Sequence, residues 1–549
     1  MNPRFVALAL LPALLAGAGP ASDNGEAGLP GLVPANAGVY FELRGTGRLV
    51  GDFRGSRLEK RLLESPLWKR FQAAPEHDQL QFALLWFEGH FGQRAERTLA
   101  DAASEGLALA LRPVPGRAQP GALLLARGAS AARQARLIEG FRKVGEAEWK
   151  TTEVEGLPVH ARGPALHVAL LGRTIALSSH AGLLAEAVRL HARGGGGLSA
   201  TEGFRSAAAG ARRRGSAGFA FLDLAGLGAR VPELLPNPLL ALLFAEHARA
   251  LRAAPWVRAE LELTGAGAVL QSSWGAPAAP ARARDAIAIP VVPRRVGAAA
   301  VRRDLQAFWE ARERLVPPTA LAGLAQFDTT LSIFFSGRPL GDELLSELEP
   351  DLLLVAAREE QPAPGPGPRL PGFALVFRLR EPDRFGPRLE VAFQTLLGII
   401  NADRGQKGLE PFRLETTAVD GLEVLTMRPL APDPHPTLEG SLRWSAVRAR
   451  DRFVLASTLG LAASLGTAFR NGALETPGPE DRLVLDGPEL RRALVENEEQ
   501  LVVDEMLKKG STRAVAERSI RDFLDLLDLF AGADVAVTPG SLRLEVRLR

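Results

Sequence analysis

Short apolar runs and alternating apolar and polar stretches, punctuated by turn residues, recur along this chain in two series that keep the same order. The clearest echo is TTEVEGLPV at 151–159, which returns as TTAVDGLEV at 416–424. Each reads as a β-hairpin. Asp420 and Gly421 suit a type I′ turn, whose two central residues need positive φ, and Glu155 with Gly156 serves the same turn less well. Such a turn sets Val154 opposite Leu157 and Thr152 opposite Val159, with Thr417, Val419, Leu422 and Val424 placed alike. That side is predicted to face the core.

The flanking segments echo in step. A proline-to-glycine turn feeds a strand at 39–43 and again at 298–301. Helices follow at 62–71, with Trp68, and 305–315, with Trp309. Apolar strands at 106–112 and 122–126 answer those at 351–358 and 373–377, each pair split by a Pro-rich loop, of which 361–372 is the longer. Ser130 is placed to cap the next helix of the first series, and Pro382 sits at the start of the second, where a missing amide hydrogen is harmless. The stretch 168–178 matches 446–457, helices follow at 181–190 and 461–469, and each series ends in two alternating strands. The pattern predicts an α+β fold of two tandem copies of a mostly antiparallel sheet domain with interspersed helices, 30–275 and 285–549, joined by the Ala- and Pro-rich linker at 275–282.

The first 21 residues read as an export signal: Arg4, an apolar stretch from Phe5 to Leu15, then small residues, with cleavage expected after Ala18 or Ala21. The apolar stretch is shorter than the roughly 20 residues a membrane span needs, and the mature chain is expected to have no transmembrane span. The chain has no cysteine, which removes disulfides, thiolate metal sites and cysteine nucleophiles. A periplasmic or secreted location in the cell envelope is expected. A net charge of +3 over 549 residues is too small to drive nucleic-acid binding, and the basic run at 212–214 has no interleaved aromatic residues.

The segment LVPANAGVY at 32–40, the segment SPLW at 65–68 and the strand, helix and hairpin order through Leu190 resemble a family of exported bacterial proteins, domain of unknown function 3352, here duplicated. The resemblance covers most of the first copy and, more loosely, the second. It implies export and a repeated α+β domain, and it brings no activity, cofactor or catalytic residue.

Candidate chemistry is sparse. Seven of eight histidines fall in the first copy, at 77, 90, 160, 167, 180, 191 and 247, and His435 lies in the second. If Gly163 and Pro164 form a two-residue turn, His160 pairs with His167, and Thr151, His160, His167 and Ser178 form a polar row on the face away from the core. The counterparts would be Thr416, Leu425, Ala446 and Ser457. His160 and His167 are therefore the candidate metal ligands or acid–base pair, although a metal site needs three or four ligands, and a solvated pair explains them as well. Glu76, His77 and Asp78 cannot all face one ion from a helix, the glycines at 194–197 lack a following phosphate-loop lysine and read as a linker, and Ser179 reads as a helix cap. The apolar run at 239–244 reads as a buried helix, with a lipid cavity as its alternative.

No catalytic residue or cofactor is assigned. The leading expectation is a non-enzymatic binding or scaffold module with an unknown envelope partner. The alternatives are a carrier of an apolar ligand and a hydrolase or metal-dependent enzyme using the first repeat.

Overall fold

The computed structural model describes residues 28–44, 57–73, 75–92, 94–117, 119–143, 148–209, 216–227, 247–264, 266–275, 287–316, 318–335, 337, 341, 344–359, 369–430, 443–476, 481–538 and 540–549. The export signal, the arginine run at 212–214, the apolar run at 239–244, the linker at 276–282, the loop at 361–368 and His435 lie outside these residues. The chain divides into two units, residues 1–230 with 253–277, and residues 231–252 with 278–549.

The first unit contributes ten described strands: β1 (Val39–Arg44), β2 (Gly106–Arg112), β3 (Gly121–Arg127), β4 (Lys150–Val154), β5 (Leu157–Arg162), β6 (Leu166–Leu171), β7 (Thr174–Ser178), β8 (Gly218–Asp223), β9 (Trp256–Thr264) and β10 (Gly267–Trp274). They lie in the order β4, β5, β6, β7, β3, β2, β1, β8, β9, β10, every neighbour antiparallel. The second unit has β11 (Arg295–Arg302), β12 (Leu348–Ala357), β13 (Gly372–Leu379), β14 (Phe412–Val419), β15 (Leu422–Pro429), β16 (Ser445–Ala449), β17 (Arg452–Ala456), β18 (Asp481–Asp486), β19 (Phe530–Thr538) and β20 (Ser541–Leu548). Its order is β14, β15, β16, β17, β13, β12, β11, β18, β19, β20, again antiparallel throughout. The molecule is α+β, and the second order is the first shifted by ten strands.

The repeated hairpin has the expected register. Val154 pairs with Leu157 and Thr152 with Val159, as Val419 pairs with Leu422 and Thr417 with Val424. Glu155 at φ 50° and Gly156 at φ 75° match Asp420 at φ 49° and Gly421 at φ 75°, so both turns have the positive φ pair of type I′. Val159, Leu422 and Val424 are buried in the cores, and Val154, Leu157 and Val419 pack against them. Thr152 at the sheet edge is exposed.

Each sheet is covered on both faces. On one face, Leu183, Leu184, Ala187 and Val188 of the helix Ala181–Ala192 meet Val159, Ala169 and Ala176. Leu461, Ala462 and Leu465 of Leu459–Asn471 meet Val424, Val447 and Val454 in the same way. On the other face, Ile138 of Ala131–Lys143 packs on Val168 and Ile175, and Phe385, Leu389 and Phe393 of Pro382–Gln406 pack on Met427, Ala446 and Phe453. Burial of these apolar faces, at about 25 cal/mol per Å², is the main force holding helices to sheets.

Local signals acted as read in several places. Pro382 opens its helix, and Ser130 Oγ accepts weakly from the Arg133 amide at 3.5 Å. The helix expected at 62–71 is two helices, Arg57–Glu64 and Pro66–Gln72, because Ser65 caps the second by accepting from the Trp68 amide at 3.1 Å. The glycines at 194–197 form a tight turn with φ positive at all four positions. A Cβ at Gly197 would lie 2.2 Å from the Val33 carbonyl oxygen, so the end of this segment packs against backbone, whereas Gly194 and Gly196 face open space.

Candidate functional site

The polar row built on His160 and His167 does not form. Gly163, Pro164 and Ala165 make a three-residue loop, so His160 pairs with Val168 and His167 with Ala161. A shift of one residue moves every side chain of a strand to the opposite face. Thr151 still pairs with His160 and His167 with Ser178, but the two pairs face opposite sides of the sheet. The counterparts move with the register: His167 corresponds to Ser445 rather than Ala446, and Ser178 to Ala456 rather than Ser457.

Neither histidine is solvated. His160 is 9% and His167 7% exposed. His160 lies on the face covered by the helix Ala131–Lys143, with its Nδ1 3.0 Å from Thr151 Oγ1. Burial, reinforced by the Arg142 charge and opposed by Glu139, holds its pKa below the usual imidazole value, so the ring is a poor proton acceptor. His167 Nε2 lies 3.2 Å from the Pro164 carbonyl oxygen, which makes that nitrogen an N–H donor closing the three-residue loop. Among the described residues no group of three or more His, Asp or Glu side chains is placed to hold a metal. The interior of β5 and β6 differs between units accordingly, with a Thr426 and Ser445 hydroxyl pair 3.1 Å apart where the first unit has Ala161 and His167.

The remaining candidates have structural partners. His77 sits near the start of the helix Pro75–Phe91, its Nδ1 3.9 Å from Asp78, whose side chain is exposed. Ser178 Oγ donates to the Ala122 carbonyl at 2.9 Å. Ser179 does not cap the next helix; its Oγ accepts from the Ala122 amide at 2.9 Å, as Ser457 Oγ accepts from the Phe373 amide at 2.9 Å. These two serines clamp β3 to the end of β7 and β13 to the end of β17. The single tyrosine, Tyr40, is fully buried against Phe204 and donates to Glu42 at 3.0 Å; burial and the Glu42 charge push its hydroxyl well above the usual phenol range. Leu32, Val33 and Ala37 are likewise buried core residues, whereas Ala35 and Asn36 are exposed.

Two features were not found in the sequence. In the second unit, Asp481 at the start of β18 accepts from His247 Nε2 at 2.9 Å, from Arg303 Nη1 at 2.6 Å and from the Arg302 amide at 2.7 Å. Burial alone would raise its pKa, but the His247 hydrogen bond and the Arg303 charge outweigh it and hold the carboxyl below its usual value. His247 and Asp481 are 234 positions apart, and no local pattern links them.

The second feature is a cleft of about 690 Å³ in the first unit, between the helices Ala95–Ala102 and Ala131–Lys143. Arg94, Arg97, Arg133 and Arg136 line it, with Asp101 as its carboxylate. The arginines come as two i,i+3 pairs, which places each pair on one side of its helix. That spacing was visible in the sequence; the convergence of the two pairs was not.

No protein family and no curated protein matches the chain. Solved structures of TP0453 match weakly. Crystal form III is 11% identical, covers 48% of this chain and 90% of its own, and has a TM-score of 0.26. Form IV is 12% identical over 44% and 79% at 0.24, and form I is 10% identical over 48% and 88% at 0.25. Likeness at that level assigns neither fold nor function.

Proposed function

We propose that this chain is an exported, non-enzymatic binding module made of two copies of one domain. The single observation that carries the binding reading is the disposition of polar groups. The buried His160, His167, Thr426 and Ser445 are held in structural hydrogen bonds, while the arginines of the first-unit cleft are exposed. General acid–base or nucleophilic chemistry pairs a base with an acid or a nucleophile, and the register puts His160 and His167 on opposite faces. Duplication is supported by the common ten-strand order and by the matched serine clamps at Ser179 and Ser457. Export rests on Arg4 and the apolar stretch before Ala18, together with the resemblance to the exported family. Among the described residues no helix is long and apolar enough to cross a membrane.

Elemental analysis of the purified mature protein, with a hydrolase substrate panel run on the wild type, His160→Gln and His167→Gln, tests the reading. The expected result is less than stoichiometric metal and no turnover. One tightly held metal per chain, or a turnover lost in either variant, overturns it. Sequencing of the mature N-terminus should begin after Ala18 or Ala21.

A further inference from the structure

The geometry points to the arginine cleft of the first unit as a binding site for an organic phosphate monoester. This deepens the binding-module reading and rests on it. Arg94 and Arg97 come from the start of one helix, and Arg133 and Arg136 from the first two turns of the other. Against four guanidiniums the described lining sets one carboxylate, Asp101, which receives Arg133 Nη1 at 3.2 Å. The four arginines line one cleft, where their like charges repel, and a multiply charged anion relieves that repulsion. A guanidinium fork matches phosphate oxygens in bidentate fashion, and a phosphate monoester concentrates nearly two charges on three oxygens.

The walls are built rather than incidental. Gln134, 1% exposed, donates through Nε2 to the Ala102 carbonyl at 2.6 Å and the Arg173 carbonyl at 3.2 Å, which ties one helix to the end of the other. Gly128 lets them approach, since a Cβ there would lie 2.6 Å from the Asp101 carbonyl oxygen. Walls fixed in advance lower the ordering cost of binding. The volume matches that of small-molecule sites, about 300–1,000 Å³, and exceeds what a lone inorganic anion fills. Leu137 gives the organic part an apolar contact.

The second unit shows the same frame without the surplus. Arg384 is the third residue of its helix, as Arg133 is of its own, and it pairs with Glu347, just ahead of β12, and with Glu381 at 3.0 Å. There the arginine is matched by carboxylates; in the first unit the arginines outnumber theirs.

Isothermal titration of the mature full chain with glycerol 3-phosphate and with inorganic phosphate, in about 0.1 M salt, tests the assignment. Flotation with phosphatidic acid vesicles against phosphatidylcholine vesicles tests a lipid headgroup as the source of the monoester. One saturable site is expected for the ester, weaker binding for inorganic phosphate, and a loss of about 100-fold in Arg94→Ala/Arg136→Ala, about tenfold per charge-assisted contact. Both side chains are exposed, so the double variant should melt with the wild type, and Arg189→Ala on another helix should bind normally. Flotation on phosphatidic acid alone, lost in the double variant, assigns the cleft to a lipid headgroup. Neither ester nor vesicle bound, equal binding by the double variant, or inorganic phosphate bound as tightly as the ester overturns the proposal. Failure in a metal-free, turnover-free protein removes the cleft assignment and leaves the binding-module reading standing.

Discussion

One buried titratable residue, His160, and one partly buried, Asp481, contribute to the expected acid response. The folded state holds His160 neutral because burial and Arg142 disfavour its charged form. Below the usual imidazole value of 6.5 the unfolded chain therefore binds more protons than the folded one. The stability His160 contributes is full above that pH and is lost as the pH falls from there through the folded midpoint. Ring NMR should place the His160 midpoint below 6.5, and His160→Gln should flatten the stability profile in that range; a midpoint at or above 6.5 would contradict the burial argument. Asp481 acts lower on the scale. Its stability contribution is full above the usual carboxyl value of 3.8 and is lost as the pH falls through its lowered folded midpoint. Asp481→Asn removes the carboxylate shared by Arg303, His247 and the Arg302 amide and should cost about 3 kcal/mol at pH 7 in urea unfolding, the loss typical of removing one partner of a buried ion pair. A loss below about 0.5 kcal/mol, the range of ordinary surface changes, would show the cluster to be peripheral.

At the scale of the element, turn length decides which face a side chain takes. Asp420 with Gly421 and Glu155 with Gly156 announce two-residue type I′ turns, and the hairpins they close have the register read from them. Glu155 holds φ 50° less readily than asparagine does, so Glu155→Asn should raise stability by about 0.5 kcal/mol. The loop at 163–165 carries no equally specific signal. Gly163 and Pro164 are compatible with a two-residue turn, whereas the chain uses Ala165 as well and returns His167 to the other face. Deleting Ala165 should force Val168 or His167 out of its buried place and cost about 3 kcal/mol, and an unchanged melting temperature would show that β6 tolerates the slip. Strands, hairpins and helix starts were thus legible because each is coded within a few residues. The His247 and Asp481 contact and the convergence of two arginine pairs were not, because they arise only when distant elements pack.

Across the whole molecule, one ten-strand order appears twice, with a helix on each face of each sheet in corresponding places. The matched serine clamps and the matched arginines at Arg133 and Arg384 carry the correspondence down to single side chains. The proposed duplication would leave one copy free to change its surface, and the arginine-rich cleft lies in the first unit. As the binding module proposed above, the protein would hold something rather than convert it. Native mass spectrometry of the mature chain, taken gently from a periplasmic fraction, tests that claim most directly. A stoichiometric companion mass, a phosphate-bearing small molecule or a protein partner, that dissociates with added salt is expected. A chain that carries a single metal ion instead, or travels bare at every salt concentration, would contradict it.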